Sequence, residues 1–284
     1  MTTEAHSSEP LVQRLAAFSV DGYGGNPAGV VICDELPASE AMQQVAARVG
    51  FSETVFAAPS KDGYRVRYFA PSMEIPFCGH ATIALGAALA KAGNTNPVDL
   101  ELNDGCAVVQ GSADVDGLSA SLLSAPTRHE LAQPELLNRA LELFSIIPID
   151  LDDRYPPAII EAGARHLLLC LRDRSQLASM NYEMESGTVL MREWHLATIS
   201  LVQQETDSRF HSRNAFAAGG VYEDPATGAA AAALAAYLSE RGHSAGEIEV
   251  HQGYDMGTPC VLYARAPTKV GGRAEVSGAV RLME

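Results

Sequence analysis

Two stretches of this chain, residues 81–90 and 225–238, carry no charged side chain and consist largely of alanine and leucine. Each reads as a helix that is apolar all round, and such a helix has to be enclosed by protein on every side. The rest of each half must therefore supply an enclosing layer, and the residues around both helices read mainly as short strands. Ahead of the helices stand Pro76-Phe77-Cys78-Gly79-His80-Ala81-Thr82 and Glu223-Asp224-Pro225-Ala226-Thr227-Gly228-Ala229. Ala81-Thr82 and Leu89 recur as Ala226-Thr227 and Leu234, 145 positions on, and Arg67-Tyr68-Phe69-Ala70 is echoed loosely by Arg213-Asn214-Ala215-Phe216-Ala217. The expectation is two like halves, each strand-rich around one buried helix.

Alternation and turn residues place strands in the first half over residues 15–20, 28–32, 51–57, 64–69, 99–102, 106–110 and 118–122. A helix is expected over 39–49, with Ser39 available as its cap and Gly50 ending it. Residues 124–157 are proline-rich and interrupted, with one helix over 134–144, and the domain boundary is placed there, giving domains 1–125 and 126–273. The second half reads as strands over 158–161, 166–171, 196–202, 247–251 and 261–264, with helices over 175–180 and 183–192. A last strand over 274–284 is expected to return to the first half.

The chain has 284 residues and a formal net charge of −15. That balance argues against nucleic acid or an anionic membrane as partner, because both require basic surfaces. The five cysteines are an odd number without a Cys-x-x-Cys pair, which speaks against a disulfide framework or a zinc site and suits a reducing cytoplasm. Met1–Pro10 is polar and acidic with no signal-peptide apolar run, and the apolar run 226–238 is too short to span a bilayer. A soluble, cytoplasmic protein with a small-molecule partner is expected. Gly24-Gly25-Asn26 lacks the spacing of a dinucleotide fingerprint and the Lys-Ser/Thr of a P-loop, so nucleotide binding is rejected.

Four motifs carry a resemblance: Gly25-Asn26-Pro27-Ala28-Gly29-Val30-Val31, Phe51-Ser52-Glu53-Thr54-Val55-Phe56, Cys78-Gly79-His80-Ala81-Thr82 and Glu223-Asp224-Pro225-Ala226-Thr227-Gly228. In this order and spacing the chain resembles the PhzF (phenazine biosynthesis-like) family, related in fold to diaminopimelate epimerase. The resemblance implies an α/β (α+β) fold of two similar domains, each a curved sheet or open barrel around a central apolar helix, with the active site between them. It also implies a homodimer, no metal and no cofactor. The best-known activity in the family isomerises trans-2,3-dihydro-3-hydroxyanthranilate by moving a proton between ring carbons. Carried over by motif, Glu53 would transfer the proton, assisted by His80 and Asp224. Where many relatives have serine after Thr-Gly this chain has Ala229, and where relatives often have arginine in Gly257-Thr258-Pro259 it has Thr258. Both departures bear on the substrate and leave the proton-transfer residues intact.

Physical reasoning runs beside the resemblance. On a strand Glu53 shares a face with Phe51 and Val55, which predicts a raised carboxyl pKa suited to carbon-to-carbon proton transfer; pattern alone equally allows an edge-strand glutamate in water. His80 at a helix start should be held neutral by the helix dipole. Asp224 reads first as an N-cap, a role compatible with catalytic assistance. The helix starts, through backbone groups of Gly79, Thr227, Gly228 and Ala229, would hold a substrate carboxylate, and Asn26 would line the cleft. Cys78 is a possible secondary site residue, because helix N-termini favour thiolate. With no cysteine near Asp224-Pro225, a symmetric two-thiol epimerase is not expected. The leading expectation is a cofactor-independent isomerase. The rivals are an epimerase or racemase of a small amino or hydroxy acid, and a non-catalytic binding protein on the same scaffold.

Overall fold

The computed structural model describes residues 11–243 and 246–284, so the segment Met1–Pro10 lies outside the described residues. Chain order in the first half is β1 (Gln13–Ala17), β2 (Asn26–Ile32), α1 (Ser39–Val49), β3 (Glu53–Pro59), β4 (Gly63–Phe69), β5 (Glu74–Ile75), α2 (Gly79–Lys91), β6 (Val98–Glu101), β7 (Cys106–Asp114) and β8 (Gly117–Pro126). The second half runs β9 (Arg128–Leu131), α3 (Pro134–Phe144), β10 (Ala158–Glu161), β11 (Arg165–Leu171), α4 (Arg174–Ala178), α5 (Met184–Glu193), β12 (Thr198–Gln204) and β13 (Arg209–Ala215). It continues through β14 (Glu223–Asp224), α6 (Gly228–Glu240), β15 (Glu247–Gln252), β16 (Cys260–Arg265) and β17 (Arg273–Leu282).

Strand pairing closes the first half into a ring in the order β1-β2-β3-β4-β6-β7-β8-β17 and back to β1. The second half follows the same plan as β9-β10-β11-β12-β13-β15-β16-β17. The parallel pairs fall at matching places, β2 with β3 and β4 with β6 in one half, β11 with β12 and β13 with β15 in the other. Strand β17 belongs to both sheets. Along one edge it pairs with β16 and then with β1, and along the other with β8.

Helices α2 and α6 fill the two sheets, and their side chains join one continuous core with the inward strand residues. Alanine suits this position twice, through its helix propensity and its small volume. The tightest approach is backbone to backbone: a Cβ on Gly111 of β7 would stand 2.0 Å from the Gly86 carbonyl oxygen of α2. Outside the first ring α1 covers Val31, Phe56 and Phe69 with Met42, Val45 and Ala46. Helices α3, α4 and α5 cover the outer face of the second sheet.

Several boundaries differ from expectation. The strand expected over 15–20 ends at Ala17, because Phe18 takes a left-handed φ of 63°. Ser39 is the first residue of α1 rather than its cap, and its hydroxyl accepts from Arg67 Nη1 instead; Gly50 does end the helix with φ 72°. Residues 124–131 contain strand where an interrupted segment was expected. Strand β13 was not foreseen: its inward face carries Phe210, Ser212 and Asn214, so polar residues occupy the buried positions that sequence reading assigns to apolar ones.

The internal repeat is real but its register is not 145. Arg67 pairs with Glu74 across β4 and β5, and Arg213 with Glu223 across β13 and β14. The second hairpin separates its partners by 10 residues against 7 in the first. That insertion moves the equivalence to 149 positions, so Glu74-Ile75-Pro76 matches Glu223-Asp224-Pro225 and α2 matches α6, each 13 residues long. Cys78 and Thr227 are then the same position, the residue just before each helix.

Candidate active site

At the start of α2, Cys78 is extended and Gly79 begins the helix, so His80 sits in the first turn, buried against the sheet. Thr82, one turn on, donates to the Cys78 carbonyl at 2.7 Å and meets the Tyr68 hydroxyl at 2.7 Å, which pins that turn to β4. Glu53 opens β3 and faces the histidine, with Oε2 3.2 Å from His80 Nε2. The contact is close but off the N–H direction, leaving Glu53 Oε2 buried without an aligned hydrogen bond. Phe51 lies before the strand, so the expected shared face with Phe51 does not form.

Asn26, the first residue of β2, joins the two halves. Its Nδ2 donates to Asp224 Oδ1 at 3.1 Å and lies 3.2 Å from His80 Nδ1. Because Asp224 must accept, the amide nitrogen is the atom turned toward it. With Nδ1 unprotonated, Asn26 serves both partners. When the ring carries both protons, Nδ1–H turns to Cys78 Sγ at 3.3 Å.

Asp224 does not cap α6. The helix begins four residues later, its N-cap position is Thr227, and no side chain caps it. Instead Thr227 Oγ1 donates to Asp224 Oδ2 at 2.6 Å. Gln252, 1% exposed at the end of β15, fixes that hydroxyl. Its Nε2 donates to Thr227 Oγ1 at 3.0 Å and to the Asp224 carbonyl at 2.7 Å, while its Oε1 accepts from Thr227 N at 3.2 Å. With Gln252 donating, the hydroxyl hydrogen of Thr227 is left to point at the carboxylate. Gln252 was missed in the sequence; a lone glutamine on a strand has no local signature.

Protonation departs from expectation in two places. Burial alone would raise the Glu53 pKa, but the close polar contact and charge of His80, helped by Ser52 and Cys78, outweigh it and hold the carboxyl below its ordinary value. Burial alone would lower that of His80; contact with the Cys78 sulfur and the charge of Glu53 lift the ring above its ordinary value instead. The expected raised Glu53 and neutral His80 are therefore corrected to a carboxylate beside a ring that holds its proton. The dipole of α2 is the weaker influence, because the ionised partner is in contact. Asp224 is raised, chiefly by burial and further by the Glu53 charge, against the opposing pull of His80 and Thr227. Cys78 is also raised by burial, which makes it a thiol rather than the thiolate expected of a helix start.

Glu53, Cys78, His80, Asn26, Asp224 and Thr227 thus form one connected cluster. Gly79, Gly228 and Ala229 lie in the first turns of α2 and α6, where N–H groups have no intrahelical acceptor. The Ala229 methyl leaves only backbone there. Thr258 N donates to the Gly253 carbonyl, so the loop beside Gln252 is held by backbone bonds. Gly24 requires its residue type: φ is 62°, and a Cβ would stand 2.1 Å from the Pro259 oxygen. This close packing and the Gly25 N–H bond to the same oxygen set the approach of Asn26. Glu53, Cys78 and His80 also offer ligand atoms within 4.8 Å of one another, the one such group found among the described residues.

A family model of phenazine biosynthesis-like proteins (PhzC-PhzF) matches residues 15–284. The chain belongs to this family. An uncharacterized isomerase of Deinococcus radiodurans is 34% identical over 266 residues, covering 87% of this chain and 83% of the relative. The trans-2,3-dihydro-3-hydroxyanthranilate isomerase of Pseudomonas chlororaphis is 29% identical, covering 93% of this chain and 94% of its own length. Among solved structures, a Bacillus anthracis phenazine biosynthesis protein of the PhzF family superposes with a TM-score of 0.81 at 24% identity, covering 96% of each chain. The two-domain fold around central helices agrees with that kinship.

Proposed function

We propose that this isomerase moves one proton between two carbons of a small, carboxylate-bearing metabolite, a cyclic one of the dihydro-hydroxyanthranilate kind, with Glu53 as the carrier. The observation that carries the reading is Glu53 Oε2, ionised, buried and without an aligned donor, beside His80. Such an oxygen is free to take a C–H proton. As it does so, the electron pair of that bond shifts through the conjugated system toward an electron-withdrawing group. Glu53 then returns the proton to a second carbon, and base and substrate regain the charges they started with. His80 steadies the Glu53 carboxylate before the proton is taken and after it is returned, and Asp224, anchored by Asn26 and Thr227, holds the opposite side of the substrate. The substrate carboxylate rests on the first-turn N–H groups of α2 and α6, at Gly79–His80 and Gly228–Ala229. The reaction leaves oxidation states unchanged, so side chains suffice and no cofactor is required. The same reading takes the protein as a cytoplasmic homodimer.

The racemase alternative needs an acid and a base on opposite faces of one carbon. Thr227 fills the position that a second thiol would occupy, and its hydrogen is committed to Asp224, which favours the single-carrier isomerase. Incubation of candidate cyclic acids in D₂O, followed by NMR, tests the reading. Deuterium with a shifted double bond is the expected outcome, and inverted configuration without a shift would replace isomerase by epimerase. Glu53→Gln should lower turnover about a hundred- to ten-thousandfold with the fold intact; a wild-type rate in that variant ends the assignment of Glu53.

A further inference from the structure

We propose that Phe18 is a positioning residue for the reaction: its ring, wedged against the first turn of α6, sets the Asp224–Thr227 corner of the second half against the Glu53–His80 corner of the first. The proposal rests on the isomerase reading, in which the substrate is held between those corners. Phe18 immediately follows β1 of the first half, yet its ring reaches α6 of the second. A Cβ on Gly228, the first residue of α6, would stand 3.9 Å from Phe18 Cζ and 3.8 Å from Val276 Cγ1, so the ring and Val276 support that turn together. At its near end the ring takes the place of a side chain on β17, where a Cβ on Gly278 would stand 2.5 Å from Phe18 Cδ1. Backbone bonds fix the residue between the halves. The Phe18 carbonyl accepts from Val261 N–H at 3.0 Å, and the next N–H, of Ser19, donates to the Ala279 carbonyl at 3.0 Å.

The internal repeat shows what this position would otherwise hold. With Arg67 matched to Arg213, Tyr68 matches Asn214, and strand register carries the match from there. Val55 corresponds to Ser200, Glu53 to Thr198, Ala28 to His166 and Leu15 to Ile160. Counting on from that last pair, Phe18 matches Gly163. Both turn left-handed, Gly163 with φ 101° and Phe18 with φ 63°. Glycine does this freely, whereas phenylalanine brings its Cβ against the backbone. A bulky side chain kept in a glycine conformation, facing a glycine inside a strand, marks a ring required where it stands. The helix start beside it has no side-chain cap, because Thr227 gives its hydroxyl to Asp224. Gln252 orients Thr227 from within the same half, whereas Phe18 reaches this turn from the other. A slip of the turn would carry Thr227 and Asp224 away from Asn26.

Crystal structures and kinetics of Phe18→Ala and Phe18→Gly test the assignment. Phe18→Gly removes the backbone strain along with the ring, so agreement of the two variants traces an effect to the ring. In both, the Asn26 Nδ2–Asp224 Oδ1 contact, 3.1 Å in the wild type, should open beyond about 3.5 Å, where it is no longer a hydrogen bond. A contact kept in both variants overturns the proposal without any substrate. With trans-2,3-dihydro-3-hydroxyanthranilate as the probe, KM should rise about tenfold or more in both, and Phe18→Leu should recover most of the loss. Loss of folded protein lowers apparent kcat and leaves KM alone. An unchanged KM beside a lowered melting temperature would therefore make Phe18 a core residue only and overturn the proposal. Phe144→Leu, in the outer core on α3, should lower the melting temperature without moving KM; an equal rise of KM there would also overturn it. Should both truncations fail to fold, the contact and KM are read in Phe18→Leu. A wild type that leaves the probe unchanged counts against the isomerase reading, and the crystal contact then decides Phe18 by itself.

Discussion

Cys78 and Thr227 occupy one position twice: each immediately precedes a 13-residue apolar helix at the centre of its own half. The first keeps a buried thiol against His80, and the second gives its hydroxyl to Asp224. The duplicated scaffold thus presents different chemistry from its two equivalent corners.

Asn26 is the amide that reaches both corners, so its loss should be felt in turnover rather than in folding. Asn26→Ala is expected to lower kcat about ten- to a hundredfold, roughly 1.4–2.7 kcal/mol of barrier, with a small change in melting temperature. Asn26→Asp should be worse, because it sets a second carboxylate against Asp224. Steady-state kinetics and calorimetry on the two variants check the order.

Gln252 acts through Thr227. Gln252→Glu keeps an acceptor for Thr227 N but removes the donor to its hydroxyl, which then turns toward the new carboxylate and away from Asp224. Asp224, already raised by burial, should rise further, and the acidic limb of the pH–rate profile should move to higher pH. Thr227→Val should shift the limb in the same direction, and the double variant should add little to either single one. A purely structural role would lower stability without moving the limb.

Linkage fixes how the Glu53–His80 pair responds to pH. The lowered Glu53 contributes stability above its unfolded value near ~4.3, lost as pH falls through the folded value. The raised His80 contributes stability below its unfolded value near ~6.5, lost as pH rises through the folded one. The stabilisation is therefore complete between about pH 4.3 and 6.5 and declines on both sides. Raised Asp224 has the opposite sign, costing stability as pH rises above its unfolded value. Melting temperature against pH for the wild type minus Glu53→Gln should show a maximum within that window; a flat difference contradicts the pairing.

Packing makes a separate prediction at the helix–sheet contact. A Cβ at Gly111 would meet the Gly86 oxygen at 2.0 Å and Ala90 Cβ at 2.7 Å. Gly111→Ala should force α2 away from β7 and destabilise the protein by about 3 kcal/mol. Chemical denaturation measures the cost, and an unchanged midpoint argues against the close approach.

What the sequence disclosed follows from how local each signal is. The apolar helices were legible because no charge interrupts them, and α3 and β10 were placed to the residue because prolines mark their starts. Strand β13 was illegible because Ser212 and Asn214 put polar groups on the buried face. The loose echo of Arg67 in Arg213 lay on the true repeat, while the sharper Ala-Thr match did not, since three residues inserted between Arg213 and Glu223 shift everything after them. Family motifs named Glu53, His80 and Asp224, but their protonation depends on burial and on the Glu53–His80 contact, and their placement on Asn26 contacts across 54 and 198 positions, none of which a local pattern encodes. Gln252 was silent for the same reason.

Strand β17 lies between β1 and β8, so the first ring needs residues 273–282 for closure. During synthesis the edges of β1 and β8 therefore stay open until nearly the whole chain has emerged. Unpaired edges recruit other strands, so a nascent chain halted before residue 273 is a template for aggregation. Removing the last ten-residue strand would do more than expose β16 of the second half; it would unseal the first.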